Sequence, residues 1–468
     1  MPTYPRIDFS DVQGNLVRGY NLRLARFLLF RLPDGETGRR FLAALRPLIT
    51  TAADWDLRPG QATNVAVSSR GLARLEVPVG SLESFEMAFR SGLAGRAALL
   101  GEVGESAPER WDPEWRDGID LLVSVHAADA PRLDARRGAV LDAAEAAGLD
   151  ALAAEQEAGR LIVDGEMSFF EHFGFRDGIG NPAIRGVPRG TGPVRGGGKL
   201  LPDGSWAPLA TGEFLFGHLD EAAEIRGPDP RHLTRNGSYL VYRKIGQKVR
   251  TFREFCEAEA PAFAHGAEEV GARMVGRWRS GAPLARYPEP PGEVDFHGEI
   301  RPDAFRYLGD EDGRRCPISA HVRRVNPRGS LGFKGQLVDR HRLLRRGIPY
   351  GPWQPEDAPA RDDRENGCEA GLIFISYQTS IERQYEFVIQ QWMNDGNDFS
   401  AGDDEDALVG ARQSSRRWVV QGDPERGRRL RIHPDLPSFT HTRGGEYFFF
   451  PGIGGLDLLI DGSVRSMV

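Results

Sequence analysis

Strand-length apolar runs alternate with runs whose apolar residues recur at helical spacing along most of this 468-residue chain. That alternation restricts it to folds that mix sheet and helix. ARFLLFRL at 25–32 has the length and composition of a strand, and GETGRRFLAALRPLI at 35–49 has the spacing of a helix. GLARLEV, the amphipathic SLESFEMAFRSGLA, IDLLVSVHA and the alanine-rich RRGAVLDAAEAAGL carry the pattern to about residue 150. A stretch crowded with Gly and Pro follows at 186–209, reading as a surface connection. The rhythm then resumes in GEFLFGH, GSYLVYRKI, TFREFCEAEA, CPISAHVRRV, GLIFISYQ, SIERQYEFVIQQWMN and GEYFFFP. The expectation is an α+β domain over 1–185, a connection over 186–209 and a second α+β domain over 210–468. The length is too great for one ordinary core.

Composition excludes more than it selects. With 60 Lys and Arg against 67 Asp and Glu, the net charge of −7 gives no electrostatic reason to expect nucleic acid or an anionic membrane as partner. No apolar run approaches the roughly twenty residues of a membrane span. The opening MPTYPRIDFSDVQG lacks an apolar segment behind basic residues, so a cytoplasmic location is expected. Cys256, Cys316 and Cys368 form no CxxC pair, which argues against a zinc knuckle or a disulfide framework. VRGGGKLL is not a phosphate loop, because Pro193 stands where the first glycine belongs and Leu200 where Ser or Thr would bind magnesium. None of the ten histidines lies in HExxH, so a mononuclear zinc enzyme is not expected.

Two stretches carry chemistry. EHFGFRDGIGNPAIRG at 171–186 places four glycines around a central carboxylate, Asp177. Glycine at that density lets the backbone turn tightly and approach a ligand. CPISAHVRRVNPR presents His321 in a strand-like stretch, with small and apolar residues before it and basic ones after it. A single imidazole can ligate iron when a macrocycle supplies the in-plane donors. The residues alone leave that role open beside the commoner one of a satisfied core histidine.

These two segments resemble the GxxDG signature and the proximal-histidine segment of dye-decolorising peroxidases. The resemblance continues through IDFSDVQGNLVRGY, NGSYLVYRKI (236–245), HRLLRRGIPYG (341–351), GLIFISYQTSI (371–381) and GGEYFFFPGIGGL (444–456), spanning nearly the whole chain. It implies two ferredoxin-like domains, as in dimeric α+β barrels, with haem b in the C-terminal one. It implies His321 as axial iron ligand and Asp177 on the opposite, distal side. The family pattern in HRLLRRGIPYG selects Arg345 as the distal partner, leaving Arg342 and Arg346 solvated or facing the haem propionates. Leu372 and Phe374 match the positions that wall the distal pocket. Asp406 in DDEDALVG matches the acid that holds the proximal imidazole, with Glu386 in reserve.

The activity implied is reduction of hydrogen peroxide with oxidation of dyes, phenols or other bulky one-electron donors. A carboxylate can take a proton from peroxide and return it to the departing oxygen, which suits Asp177. The fixed charge of Arg345 can hold that carboxylate ionised and stabilise negative charge on the peroxide. Bulky dyes should not enter a pocket walled by Leu372 and Phe374, so Trp353 or Trp392 near the surface would relay electrons, with Tyr350 a weaker candidate. The alternatives are a haem carrier or deferrochelatase-like protein, and a haem-free α+β binding protein. No oligomeric state is read from the sequence.

Overall fold

Leu24–Phe30 forms the expected first strand, β1, and three more strands follow in this half: β2 (Gln61–Ser68), β3 (Leu121–Ala127) and β4 (Leu152–Gly159). The structure is a computed structural model and describes residues 6–53, 58–149, 152–188, 194, 196–291, 303–331, 336–411 and 416–466. Every residue of β3 is buried, because β2 and β1 pair with its two edges and a helix packs on it. The helices of this half include α1 (Gly35–Leu45) and α2 (Ala130–Ala146), of which α2 packs on β3 and α1 packs on α2. Each starts at an aspartate whose side chain caps an otherwise unpaired N–H: Asp34 accepts from Thr37 at 2.8 Å and Asp129 from Arg132 at 3.0 Å.

The second half contributes β5 (Ser238–Gln247), β6 (Leu344–Arg345), β7 (Ile348–Tyr350), β8 (Gly371–Gln378) and β9 (Thr440–Phe450). Among the described residues these strands join one nine-stranded sheet in the order β6-β8-β5-β9-β2-β3-β1-β4, with β7 also on β8. Pairing is antiparallel throughout, and β9 links the halves by setting Phe448 and Phe449 opposite Ser68 and Val67. The expected α+β class therefore holds. TFREFCEAEA is helical as expected, within α3 (Val249–Glu259). SIERQYEFVIQQWMN is helical too, but in wide π-type turns, Ile381–Glu386 and Val388–Met393. No helix among the described residues is long and apolar enough to cross a membrane.

Several local expectations fail. GLARLEV is not a strand: Ser69–Arg74 is helical, and the strand precedes it. SLESFEMAFRSGLA breaks into Val79–Glu83 and Met87–Arg96, the second kinked at Gly92 (φ 69°). GEFLFGH makes a single 3-10 turn, Thr211–Glu213, whose following Phe214, Leu215 and Phe216 are all buried. The His321 segment is also no strand. Ala320 N–H closes a turn on Pro317 O at 3.0 Å, and α4 (His321–Arg324) begins there. Within 186–209, Lys199–Leu200 and Trp206–Ala207 pair as a short hairpin.

Candidate active site

The glycine-rich loop is fastened before it reaches Asp177. Phe173 and Phe175 enter a hydrophobic cluster that also contains Phe252 of α3, and Phe173 stacks on Phe252 with ring centroids 4.4 Å apart. Burying a phenylalanine is worth roughly 2 kcal/mol or more. Between them the chain turns tightly: Gly174 N–H donates to Glu171 O at 2.9 Å and Glu171 N–H to Phe175 O at 3.0 Å. Gly174 (φ 88°) and Gly178 (φ 81°) adopt the left-handed conformation on either side of Asp177, a requirement that explains the glycines. Asp177 N–H then donates to Phe169 O at 2.9 Å.

Glu171 clamps this turn. Its carboxyl accepts N–H from Phe173 and Phe175, each at 2.9 Å, and the Gln247 side-chain amide at 2.6 Å. Burial pushes its pKa up from 4.5 to about 6, against those three donors. A carboxyl raised on folding contributes stability below its unfolded pKa and loses it as pH rises through the folded value. Wild type should therefore lose about 1 kcal/mol relative to Glu171→Gln between pH about 4 and about 7. That is half the full linkage, because the group is half-buried. Thermal denaturation of both proteins across that range checks the expectation, and parallel curves would contradict it.

Arg345 reaches the same place from the sheet. In the β6–β8 pair it stands opposite Ser376, so its side chain shares a sheet face with Phe374 and Leu372, two and four residues along β8. Ile373 and Ile375 point to the other face and are buried, whereas Leu372 and Phe374 are only half-buried. Arg345 N–H donates to the Asn181 side-chain oxygen at 2.9 Å, tying β6 to the loop. Its Nη1 lies 3.5 Å from Asp177 Oδ1. Both side chains are about 30% exposed, so the pair adds little stability. Asp177 and Arg345 line a cavity of about 920 Å³. His321, Asp406, Leu372 and Phe374 are not among its lining residues.

His321 is held from the other direction. Its Nδ1–H donates to Asp406 Oδ2 at 2.8 Å. The other oxygen of Asp406 accepts N–H from Leu408 and Val409, both at 2.9 Å, and Asp406 N–H donates to Met393 O at 2.7 Å. Burial alone would raise the Asp406 carboxyl, but the adjoining His321 imidazole and those donors keep it below the ordinary carboxylate range. The ring is one-quarter exposed, and Nε2 has no partner among the described residues. Its lone pair is thus uncommitted.

These groups fit a haem. Among the described residues no cluster of three or more His, Cys, Asp and Glu could hold a bare metal ion, so a lone Nε2 suits iron already held by a macrocycle. The half-exposed Leu372 and Phe374 offer an apolar face. Nearby, Arg277 and Arg342 are buried, and desolvation together with repulsion from Arg328 and Arg345 pushes both down to about 10. Asp303 offsets part of that charge. Guanidinium groups gathered in this way could take the two carboxylates of a haem.

Other expected positions fall differently. Glu386 is committed elsewhere, to Arg96 by two hydrogen bonds of 2.9 and 2.6 Å and to the Tyr447 hydroxyl at 3.1 Å. Arg342 is buried rather than solvated, and Arg346 donates to the carbonyls of Asn15 and Leu16. Trp392 is 2% exposed and is no surface side chain, because the apolar side of its helical segment turns inward onto Phe387 and His341. Its indole N–H donates to exposed Asp398 at 3.1 Å. Trp353 is half-buried with the Arg253 guanidinium 5.9 Å from its ring, and Tyr350 is buried. Glu171 and Asn181 were legible only as members of the quoted motif. Arg277 and Arg328 gave no local signal at all.

Residues 220–401 match the family model described as Dyp-type peroxidase, C-terminal. Dye-decolorizing peroxidase msp1 of Mycetinis scorodonius is 29% identical over 474 residues, covering 96% of this chain and 87% of that protein. An ancestral D-type dye-decolorizing peroxidase superposes with a TM-score of 0.81 at 28% identity, over 97% of this chain and 99% of that one. A dye-decolorizing peroxidase solved in complex with 2,6-dimethoxyphenol gives 0.80 at 27% identity, over 97% and 99% of the two chains.

Proposed function

The chain belongs to the dye-decolorizing peroxidase family and is a peroxidase, and on that premise we propose that it uses haem b and hydrogen peroxide to oxidise dyes, phenols or other one-electron donors. The observation that carries this reading is the commitment of His321 Nδ1 to buried Asp406, which leaves Nε2 as a donor of fixed orientation. When bound, haem supplies the iron at which the O–O bond of peroxide is cleaved and through which donors give up electrons singly.

The protein's part is acid–base and electrostatic. His321 Nε2 would hold the iron, and Asp406 keeps the proton on Nδ1 and increases the electron donation of the ring. Asp177 Oδ1 accepts a proton from peroxide and returns it to the departing oxygen, directly or through water. Arg345, with Nη1 3.5 Å away, faces the charge developing on the oxygen. Leu372 and Phe374 wall the space between and exclude water and bulky donors.

A donor too large to enter must give its electron at the surface. Half-buried Trp353 is the candidate nearer the surface, and Trp392, being buried, could serve only as an inner step, its ring releasing its proton toward Asp398 at 3.1 Å. Trp392→Phe should lower turnover of a bulky dye more than that of a small phenol; equal losses would remove it from the route.

Reconstitution with haem tests the whole proposal. The expected outcome is a Soret band and peroxide-dependent oxidation of both a dye and a phenol. A band without turnover would favour a haem carrier, iron-free porphyrin a deferrochelatase, and no band the haem-free reading. The Asp177–Arg345 pair supports the enzyme, since a carrier has no use for a proton acceptor with a fixed cation beside it.

A further inference from the structure

The Asp177–Arg345 pair does not hold itself together. Nη1 and Oδ1 are 3.5 Å apart and both side chains are partly exposed, a contact longer than the roughly 2.7–3.2 Å of an ordinary N–H···O hydrogen bond and worth little in water. Something else must set where the guanidinium stands relative to the carboxylate.

The strand that carries Arg345 is anchored on one side only. β6 is two residues long and ends the sheet order, so β8 alone borders it among the described residues. Arg346 N–H donates to Ile375 O at 2.8 Å, and such bonds fall on alternate pairs of an antiparallel ladder, which makes Arg345 and Ser376 a non-hydrogen-bonded pair. The N–H of Arg345 therefore points away from β8, toward an open edge. Asn181 supplies the missing partner: its side-chain oxygen accepts that N–H at 2.9 Å, across 164 residues of sequence.

Asn181 is itself fixed. Before it, Asp177 N–H is held on Phe169 O at 2.9 Å; after it, Ala183 N–H donates to Gly197 O at 2.9 Å and Ala183 O accepts Leu209 N–H at 2.8 Å. Pro182 follows directly and biases Asn181 to extended backbone. Between these anchors the loop runs along the guanidinium, so that a Cβ on Gly180 would stand 3.7 Å from Arg345 Nη2. One short loop thus carries both the carboxylate and the oxygen that locates the cation's backbone.

We infer that Asn181 is a positioning residue for the peroxide reaction, holding Arg345 at a fixed offset from Asp177 and acting only through that arginine. The inference rests on the reading of Asp177 and Arg345 as the peroxide-handling pair. Without the tie, the guanidinium is free to close on the carboxylate or swing off it, and the cation no longer stands where charge develops.

Hydrogen exchange in the haem-free protein reads the tie directly. In Asn181→Ala the Arg345 amide should exchange about fivefold faster, while the Arg346 amide, bonded to Ile375, keeps its wild-type rate. Asn181→Asp retains the accepting oxygen and should retain the protection. Fluoride titrated into the ferric haem-loaded protein reads the consequence without turnover, because an anion on the iron is favoured by a cation fixed beside it. Asn181→Ala should weaken fluoride about fivefold and slow the reaction with peroxide about tenfold, yet change neither in an Arg345→Leu background; haem affinity stays at the wild-type value throughout. Asn181→Ser draws the oxygen out of reach and should give the same results if the alanine variant does not fold. Equal losses in the two backgrounds, or unchanged exchange at Arg345, would overturn the inference. A loss in Arg345→Leu with none in Asn181→Ala overturns it alone, whereas wild-type fluoride binding and peroxide rate in Arg345→Leu remove the reading of the pair and the inference with it.

Discussion

His321→Ala is expected to abolish stable haem binding. The argument starts from the second nitrogen of the ring. Nδ1 is taken by Asp406 at 2.8 Å, and the acid is fixed in turn by the N–H groups of Leu408 and Val409. Nε2 is left as the one imidazole atom free to coordinate, with an orientation set by that bond. Alanine removes the ligand and takes one partner from Asp406, a carboxylate with no exposed surface, so some loss of stability should accompany the loss of haem. Asp406→Asn separates the two effects: it keeps the iron ligand while removing the charge behind it, and should weaken haem affinity about 10- to 100-fold without abolishing it. Haem titration followed at the Soret band reads both variants. A His321→Ala protein with wild-type absorption and peroxide turnover would reject the axial assignment, and a wild-type affinity in Asp406→Asn would reject the role of the acid.

How much of this was legible depends on how local each signal was. β1, β3 and β8 are recognisable because strand-length runs dominated by apolar residues mark them, and α1 and α2 because helical composition and an aspartate cap occur within one stretch of chain. β2 was missed because its sequence, QATNVAVS, mixes polar residues into a buried strand. Asn64 is tolerated there only because the Tyr20 hydroxyl donates to it at 2.8 Å and its own amide reaches Thr50 O at 3.2 Å, partners far away in sequence. The His321 segment looks extended from its composition, yet Pro317 and the tie to Asp406 turn it into a helix start.

The site shows the same division. Asp177 and His321 stand out within their own motifs, but the contacts that give them chemical meaning span 168 residues to Arg345 and 85 to Asp406. Resemblance, rather than spacing, selected those partners. The inward turn of Trp392 was out of reach for a related reason: an amphipathic segment shows that one side is apolar without showing what covers it.

Asp177→Asn is expected to slow the reaction with peroxide by about a hundredfold or more, the ordinary weight of a general acid–base group. The substitution keeps the shape of the side chain and its loop, which Glu171, Phe173 and Phe175 fix independently, while removing the carboxylate proposed to take and return the proton. Arg345→Leu acts differently. It leaves the carboxylate in place but removes the cation 3.5 Å from it and the charge that would face the breaking bond. With a 3.5 Å separation and partial exposure of the pair, the proposed role of Arg345 rests on the field it would cast on peroxide more than on a tight grip on Asp177. Its effect should therefore appear in the second-order rate with peroxide and not in haem affinity. Stopped-flow mixing with peroxide, read through the haem absorption, gives both rates. If neither variant slows by at least about tenfold, proton transfer and charge stabilisation belong to other groups, and the distal assignment fails as a whole even with His321 confirmed as the iron ligand.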